Sequence, residues 1–339
     1  MTRSRYLPKK LLRSFLVLLI VGVVAAMLGF ACFPVGDKPY KTVAIEIPRG
    51  TGFLQIVALL DKAGFVTNKP FFYTLALVKG AARNIRAGEY ELSGDMSPLE
   101  IIEKLVQGRI KAYLVTIPED FTVREIAARL ASYKLVEEKI FLELCLDRNF
   151  LSTLKIEGRS AEGFLYPETY MLDRSMGPRD IIRTMAQQFW KVVTPELRQR
   201  ASTMGMSLTQ VVTLASIIGK ESGNAQEKPL ISAVFHNRLR KGMKLQSDPT
   251  AVYDLDTFDG TVRRKHLLRN HTHNTYRIDG LPPGPIGNPA IDSIKAALYP
   301  AKVDYLYFVS NNDGAHNFST TLIAHNRAVS KYQIQKKKQ

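Results

Sequence analysis

Apolar residues recur at helical spacing through residues 207–222. Val211, Leu214, Ala215 and Ile218 stand at i, i+3, i+4 and i+7 and predict one apolar helix face. Ser207 with Gln210 three positions on reads as a capping box, and Gly223 suits the left-handed residue that closes such a helix. The same periodicity predicts helices over 178–193, 227–241, 291–298 and 322–333, and alternation predicts strands near 305–310 and 316–319. Upstream the pattern repeats with an offset of 70 residues: Ile47-Pro48 with Ile117-Pro118, Ile56 with Ile126, Leu60 with Leu130, Val66 with Val136. Each copy reads as strand, turn and amphipathic helix. Between the copies, 87–93 alternates as a strand and 97–107 as a helix. The expected class is α+β, with a small module over 43–108 and a larger domain over 110–335. Residues 254–289 have little periodicity, and structureless segments of that length in compact domains tend to carry function.

The N-terminus adds a different pattern. Residues 15–33 form a 19-residue uncharged apolar run, long enough at about 1.5 Å per residue to cross a hydrocarbon core of roughly 30 Å. A transmembrane helix is expected over 15–35. Arg3, Arg5, Lys9, Lys10 and Arg13 precede it without an acid, so the positive-inside rule puts a tail over 1–14 in the cytoplasm and the rest outside, as a single-pass protein of the cytoplasmic membrane. The rival is a cleaved signal peptide with Gly29 and Ala31 before the cut, but the apolar run exceeds a signal core. Phe30 and Ala31 make a poor lipoprotein signal before Cys32. Of the net charge of +16, +6 lies in residues 1–41. The exported remainder suits an anionic partner, and outside the cytoplasm lipid headgroups and cell-wall carboxylates fit better than nucleic acid. The tail 336–338 reads as solvated. Cys32 and Cys145 lie in settings too different to suggest a disulfide or a metal site, and no cofactor is implied.

The chemistry concentrates at Glu221. It lies seven residues after Leu214, on the margin of the apolar face and in the last helical turn. Burial there disfavours the charged form, and the negative end of the helix dipole acts in the same sense. A glutamate kept protonated in this way can serve as a general acid; by position alone Glu221 also reads as an ordinary helix-end carboxylate, and the blocks that flank it favour the acid.

The blocks around it carry a family resemblance. Leu214-Ala215-Ser216-Ile217-Ile218-Gly219-Lys220-Glu221, Asn237-Arg238-Leu239, Gln246-Ser247-Asp248-Pro249-Thr250, Asn274-Thr275-Tyr276, Gly280-Leu281-Pro282-Pro283-Gly284 and His325-Asn326 resemble the MltG (YceG-like) endolytic murein transglycosylases in order and spacing. The resemblance places the catalytic glutamate on Glu221 and implies cleavage of the MurNAc-β-1,4-GlcNAc bond within peptidoglycan strands. It also implies 1,6-anhydroMurNAc products, a LysM-like N-terminal module, and work near penicillin-binding proteins and the elongation machinery, limiting nascent strands. Members commonly carry a second glutamate where this chain has Gly219. A glycine inside a helix costs about 1 kcal/mol relative to alanine, so a local reason is expected, such as close approach of a sugar or another helix.

Other positions stay open between binding and support. Asp248 precedes a proline, a turn signature, and is also the best remaining acid for a substrate site. Gln246, Asn274 and Tyr276 are candidates for acetamido and hydroxyl groups or for bracing their loops; Asn237 and Arg238 are candidates to touch substrate or to brace the Glu221 helix. His316 and His325 lack a third ligand and are expected to hydrogen-bond a loop or a sugar rather than a metal. The prolines of 280–285 form a rigid wall, one of them a candidate for a cis bond. The LysM-like module either grips N-acetylated glycan or only packs and orients its neighbour. A non-catalytic glycan-binding scaffold is one alternative. A hydrolytic muramidase, which needs a second acid, is another. The older aminodeoxychorismate lyase label sits badly with the anchor.

Overall fold

The computed structural model describes residues 9–33, 42–255 and 257–334. The expectations for residues 1–8, 34–35 and 335–338 lie outside them. The chain divides into two compact units: Met1–Tyr113 with Asp173–Ser175, and Leu114–Leu172 with Met176–Gln339. The division falls at Tyr113, a few residues beyond the module boundary read from the sequence.

The smaller unit begins with helix α1 (Lys9–Cys32), followed by β1 (Thr42–Ile47), α2 (Phe53–Lys62), α3 (Lys69–Val78), β2 (Gly88–Ser93) and α4 (Pro98–Val106). Among the described residues no single helix is long and apolar enough to cross a membrane; the apolar stretch within α1 runs Arg13–Gly22. Strands β1 and β2 pair antiparallel from Thr42↔Ser93 to Ile47↔Gly88. Their inward residues Ile45, Ile47, Tyr90 and Leu92 meet Ile56, Leu60, Phe72, Ile101 and Leu105 of the helices in one core. Ser97 and Glu100 close a capping box at the start of α4. Gly88 has φ 145 and a Cβ there would meet Ile110 at 2.5 Å, so backbone angle and space both require glycine.

The larger unit opens at Leu114, within β3 (Tyr113–Thr116), and continues through α5 (Val123–Ser132), α6 (Glu138–Leu144), α7 (Arg148–Thr153) and β4 (Thr169–Leu172), β3 pairing with β4. Helices α8 (Pro178–Val192), α9 (Pro195–Thr203), α10 (Leu208–Glu221), α11 (Lys228–Arg240), α12 (Asp248–Val252), α13 (Arg264–Leu267) and α14 (Ile291–Leu298) follow. The hairpin β5 (Tyr307–Ser310) and β6 (His316–Ser319) and helix α15 (Leu322–Val329) complete it. The class is α+β, as the periodicity predicts. Helix α15 is shorter than the expected 322–333: after Val329 the chain loosens into a π turn over Ser330–Ile334. Among the described residues no peptide bond is cis, so the wall at 280–285 is held by trans prolines.

Helix α10 is the axis of this unit. Residues 211–219 are all buried, the pattern of a helix covered on every side, and α14, α11, α12 and α9 pack around it. Ser207 caps its start as expected, its hydroxyl accepting from Gln210 N at 3.2 Å while Gln210 Oε1 accepts from Ser207 N at 2.8 Å.

Candidate active site

Glu221 is the last residue of α10, so a rigid, fully packed helix aims the one acid that ends it. The helix does not close on a left-handed Gly223. Ser222 takes an extended conformation, φ −149 and ψ 129, and its Oγ accepts from Asn224 N at 3.1 Å, turning the chain toward α11. A hydroxyl on the backbone does here what a glycine was expected to do.

Burial pushes the Glu221 carboxyl up to about 7. The Ser247 hydroxyl opposes the rise, the Asp248 charge adds to it, and the Arg238 guanidinium opposes it. Ser247 donates to Glu221 Oε1. Ser247 is itself fixed: its N–H donates to Thr275 Oγ1 at 3.0 Å, its carbonyl accepts from Thr250 Oγ1 at 2.6 Å, and the Thr250 and Thr275 hydroxyls are 2.7 Å apart. All three residues are buried. The result is a hydroxyl cluster beneath the acid, built from the 246–250 and 274–276 blocks.

The named candidates fall into distinct places. Asp248 is exposed at the start of α12, and its Oδ1 accepts from the Tyr276 hydroxyl at 2.6 Å. Burial first, then that bond to Asp248, raises the Tyr276 phenol. Gln246 is exposed, with φ 49, and its N–H donates to Thr275 O at 3.2 Å. Asn274 is fully buried: its amide donates to Leu267 O at 3.1 Å and Arg269 O at 2.7 Å, and its Oδ1 accepts from Tyr276 N. It organises the loop. Asn237 is buried as well and gives its amide to Val303 O and Tyr305 O, both at 2.8 Å. His316 is taken by Glu227, with Nδ1 2.7 Å from its carboxylate. His325 stacks on Tyr307 with centroids 5.2 Å apart, the ring over which the Arg238 guanidinium lies at 5.2 Å. Burial and then the Arg238 charge depress the basicity of His325.

Arg238 links these parts. Its Nε donates to Leu306 O at 2.7 Å and its Nη1 to Leu245 O at 2.8 Å, tying the approach to β5 to the segment that delivers Ser247. The structure thus gathers Glu221, Ser247, Asp248, Tyr276 and Arg238, with Tyr307 and His325 beside them. It holds the side-chain donors of Asn237 and Asn274 within the protein. Ser247 and Thr275 are the residues that sequence reasoning passed over. The available signal was a serine and two threonines inside two of the blocks that carry the resemblance.

Two further carboxyls are buried in this unit. Glu162 accepts from Val123 N at 3.0 Å, Asn288 Nδ2 at 3.0 Å and the Tyr253 hydroxyl at 3.1 Å, yet burial still raises it to about 7. Asp120 is raised to about 6, by burial first, with Lys228 and Lys220 opposing.

The fold and the site define a class: an α+β domain that presents one glutamate, its pKa pushed up to about 7 by burial, at the end of a buried helix and on a bed of hydroxyls. The chain belongs to the YceG-like family, which it matches over residues 45–331. It is similar to the endolytic murein transglycosylase of Bacillus subtilis (strain 168), with 33% identity over 318 residues, 88% of this chain and 87% of that one. It is similar also to the endolytic murein transglycosylase of Streptococcus pneumoniae serotype 2 (strain D39 / NCTC 7466), with 26% identity over 94% of this chain. The chain spans 64% of the length of that relative. A solved yceG-like protein of Listeria monocytogenes superposes with a TM-score of 0.59 at 32% identity, covering 85% of this chain and 99% of its own.

Proposed function

We propose that this chain is a membrane-anchored endolytic murein transglycosylase acting within peptidoglycan strands. Glu221 donates its proton to the oxygen of GlcNAc as the bond to the MurNAc anomeric carbon breaks. The C6 hydroxyl of the same MurNAc then attacks that carbon, and the Glu221 carboxylate removes its proton. A 1,6-anhydro ring closes and the glutamate is protonated again. One carboxyl serves both steps, because the nucleophile belongs to the substrate and its effective molarity is high. A hydrolase would need a second acid to activate water.

The observation that carries the reading is the state of Glu221 in a YceG-like chain: half-buried, raised to about 7 and touched by the Ser247 hydroxyl. The relatives' name gives the reaction class. Asp248 is exposed and bonded to Tyr276, a setting that suits contact with a sugar hydroxyl better than activation of water. Anchoring is supported by the basic residues before the apolar run of residues 15–33 and by the outward apolar side chains of α1, among them Phe15, Leu16 and Leu18. On this reading the smaller unit is a LysM-like module, and penicillin-binding proteins are partners to be sought.

The decisive experiment is digestion of purified sacculi with mass analysis of the fragments. Anhydro ends, one water lighter than reducing ends, are expected. Release of reducing ends alone would overturn the assignment in favour of a hydrolase.

A further inference from the structure

Gly219 is helical and inside α10, so its backbone angle does not call for glycine. The reason lies across the packing interface. A Cβ on Gly219 would stand 2.1 Å from Asp120 Oδ1 and 2.7 Å from Asp120 Cγ and Oδ2. The carboxylate therefore occupies the volume that any side chain at 219 would fill. The close approach expected there is made by this carboxylate. Among the described residues, Asp120 Oδ1 is buried without a hydrogen-bond partner.

Asp120 is held there by its backbone. It adopts φ 61, a conformation that glycine takes freely and aspartate tolerates. In the other copy of the repeat the residue 70 positions earlier is Gly50, with φ 79. The same turn is thus built twice, once with glycine and once with a carboxylate pointing into the helix. Asp120 N donates to Asn288 O and Asn288 N to Phe121 O, both at 2.9 Å. A second glycine clears the other side: a Cβ on Gly287 would meet Asp120 O at 2.5 Å and Lys220 Cε at 3.0 Å. Lys220 and Lys228 act on the carboxyl as cations, Glu119 and Asp292 as anions. Lys228 is buried, 2.7 Å from Asp292 and 3.6 Å from Glu119.

We propose that Asp120 is a positioning residue for Glu221. Its carboxylate, seated on the bare Cα of Gly219, fixes the last turn of α10 at the angle that presents Glu221, and only one of positions 120 and 219 can place a side chain in that seat. The inference rests on Glu221 being the acid of the reaction proposed above, but not on the chemistry of the product ends.

The test uses the full chain with Gly219→Ala, Asp120→Gly and the double variant Asp120→Gly/Gly219→Glu, which moves the carboxylate from the turn to the helix. Bonds cleaved are counted whatever the end formed, so product mass reports on the function and turnover on the positioning. Each single variant is expected to lose roughly tenfold or more in kcat, the scale of a misplaced acid, with KM nearly unchanged. The double variant should recover to within about threefold of wild type, against the background that a misplacement costs up to about 10². Thermal unfolding of the four proteins should show the same pattern, both single variants lowered and the double variant restored, independently of any reaction. Wild-type kcat in folded Asp120→Gly would overturn the proposal, as would a double variant no more active than Asp120→Gly. If Gly219→Ala does not fold, the comparison of Asp120→Gly with the double variant decides alone.

Discussion

Ser247 donates its hydroxyl to Glu221 Oε1 from the far side of a 26-residue separation in sequence. The bond stabilises the ionised carboxylate while burial disfavours it, and burial prevails, leaving the group at about 7. The opposed effects of burial and of the Ser247 hydroxyl make the acid responsive to its surroundings. A group balanced near the working pH is suited to giving a proton and taking one back.

Replacing Glu221 by Gln keeps the size and removes the titratable proton. Turnover should fall about 10²- to 10⁴-fold, the usual contribution of general acid–base catalysis, with unchanged unfolding temperature and glycan retention. Asp248→Asn keeps an acceptor for the Tyr276 hydroxyl and should cost far less. Equal losses in the two variants, measured as fragments released from sacculi, would show a two-carboxylate hydrolase.

The proton on Glu221 is needed at the first step, so kcat/KM should be highest below about 7 and decline as pH rises through that value. Ser247→Ala removes a donor that favours the charged form, which moves the pKa upward. The alkaline decline should therefore shift to higher pH, by an amount read from the full pH–rate profile. A shift to lower pH would show that the Ser247 bond does not act on the ionised carboxylate.

Glu162 has the same sign of shift, and its carboxylate is held by Val123 N, Asn288 and Tyr253. Its folded pKa of about 7 lies above the ordinary 4.5, so between these values the folded state holds a proton that the unfolded chain releases. Its contribution is full below about 4.5 and is lost as pH rises through about 7. Glu162→Gln cannot titrate. The unfolding free energy of the variant relative to wild type should therefore improve between pH 5 and 8, on the order of 1–3 kcal/mol from the size of the shift. Chemical denaturation at several pH values measures it, and a flat difference would show that Glu162 stays ionised throughout.

Topology has its own test. A reporter active only outside the cytoplasm, fused after Gln339, should be active in cells, because the basic residues before the apolar run of residues 15–33 hold the N-terminus in. A signal confined to the cytoplasmic side would remove the anchored orientation.

The helical period carried much of the fold. The buried face of α10, its Ser207–Gln210 cap, and the elements Ile291–Leu298 and His316–Ser319 are local facts, written in spacing and capping chemistry that neighbours in sequence enforce. The repeat likewise announced two strand–turn–helix units. Glu221 could be singled out along the chain only through the family-like blocks around it, since a carboxyl at the rim of an apolar face reads equally as an ordinary helix-end residue. Its acidity could be expected in direction, since burial acts alike on any carboxylate.

What surrounds Glu221 was decided by tertiary structure. Ser247, Thr250 and Thr275 look like ordinary loop residues in sequence, and only packing turns their hydroxyls inward beneath the acid. Asn237 and Asn274, polar residues in family-like blocks, spend their amides on backbone carbonyls, because buried chain reversals must satisfy those groups. Gly219 shows the limit most clearly. A glycine in a helix announces that something comes close, but the carboxylate that does so arrives from a turn in a distant part of the chain, and no local spacing connects Asp120 to the helix it fills.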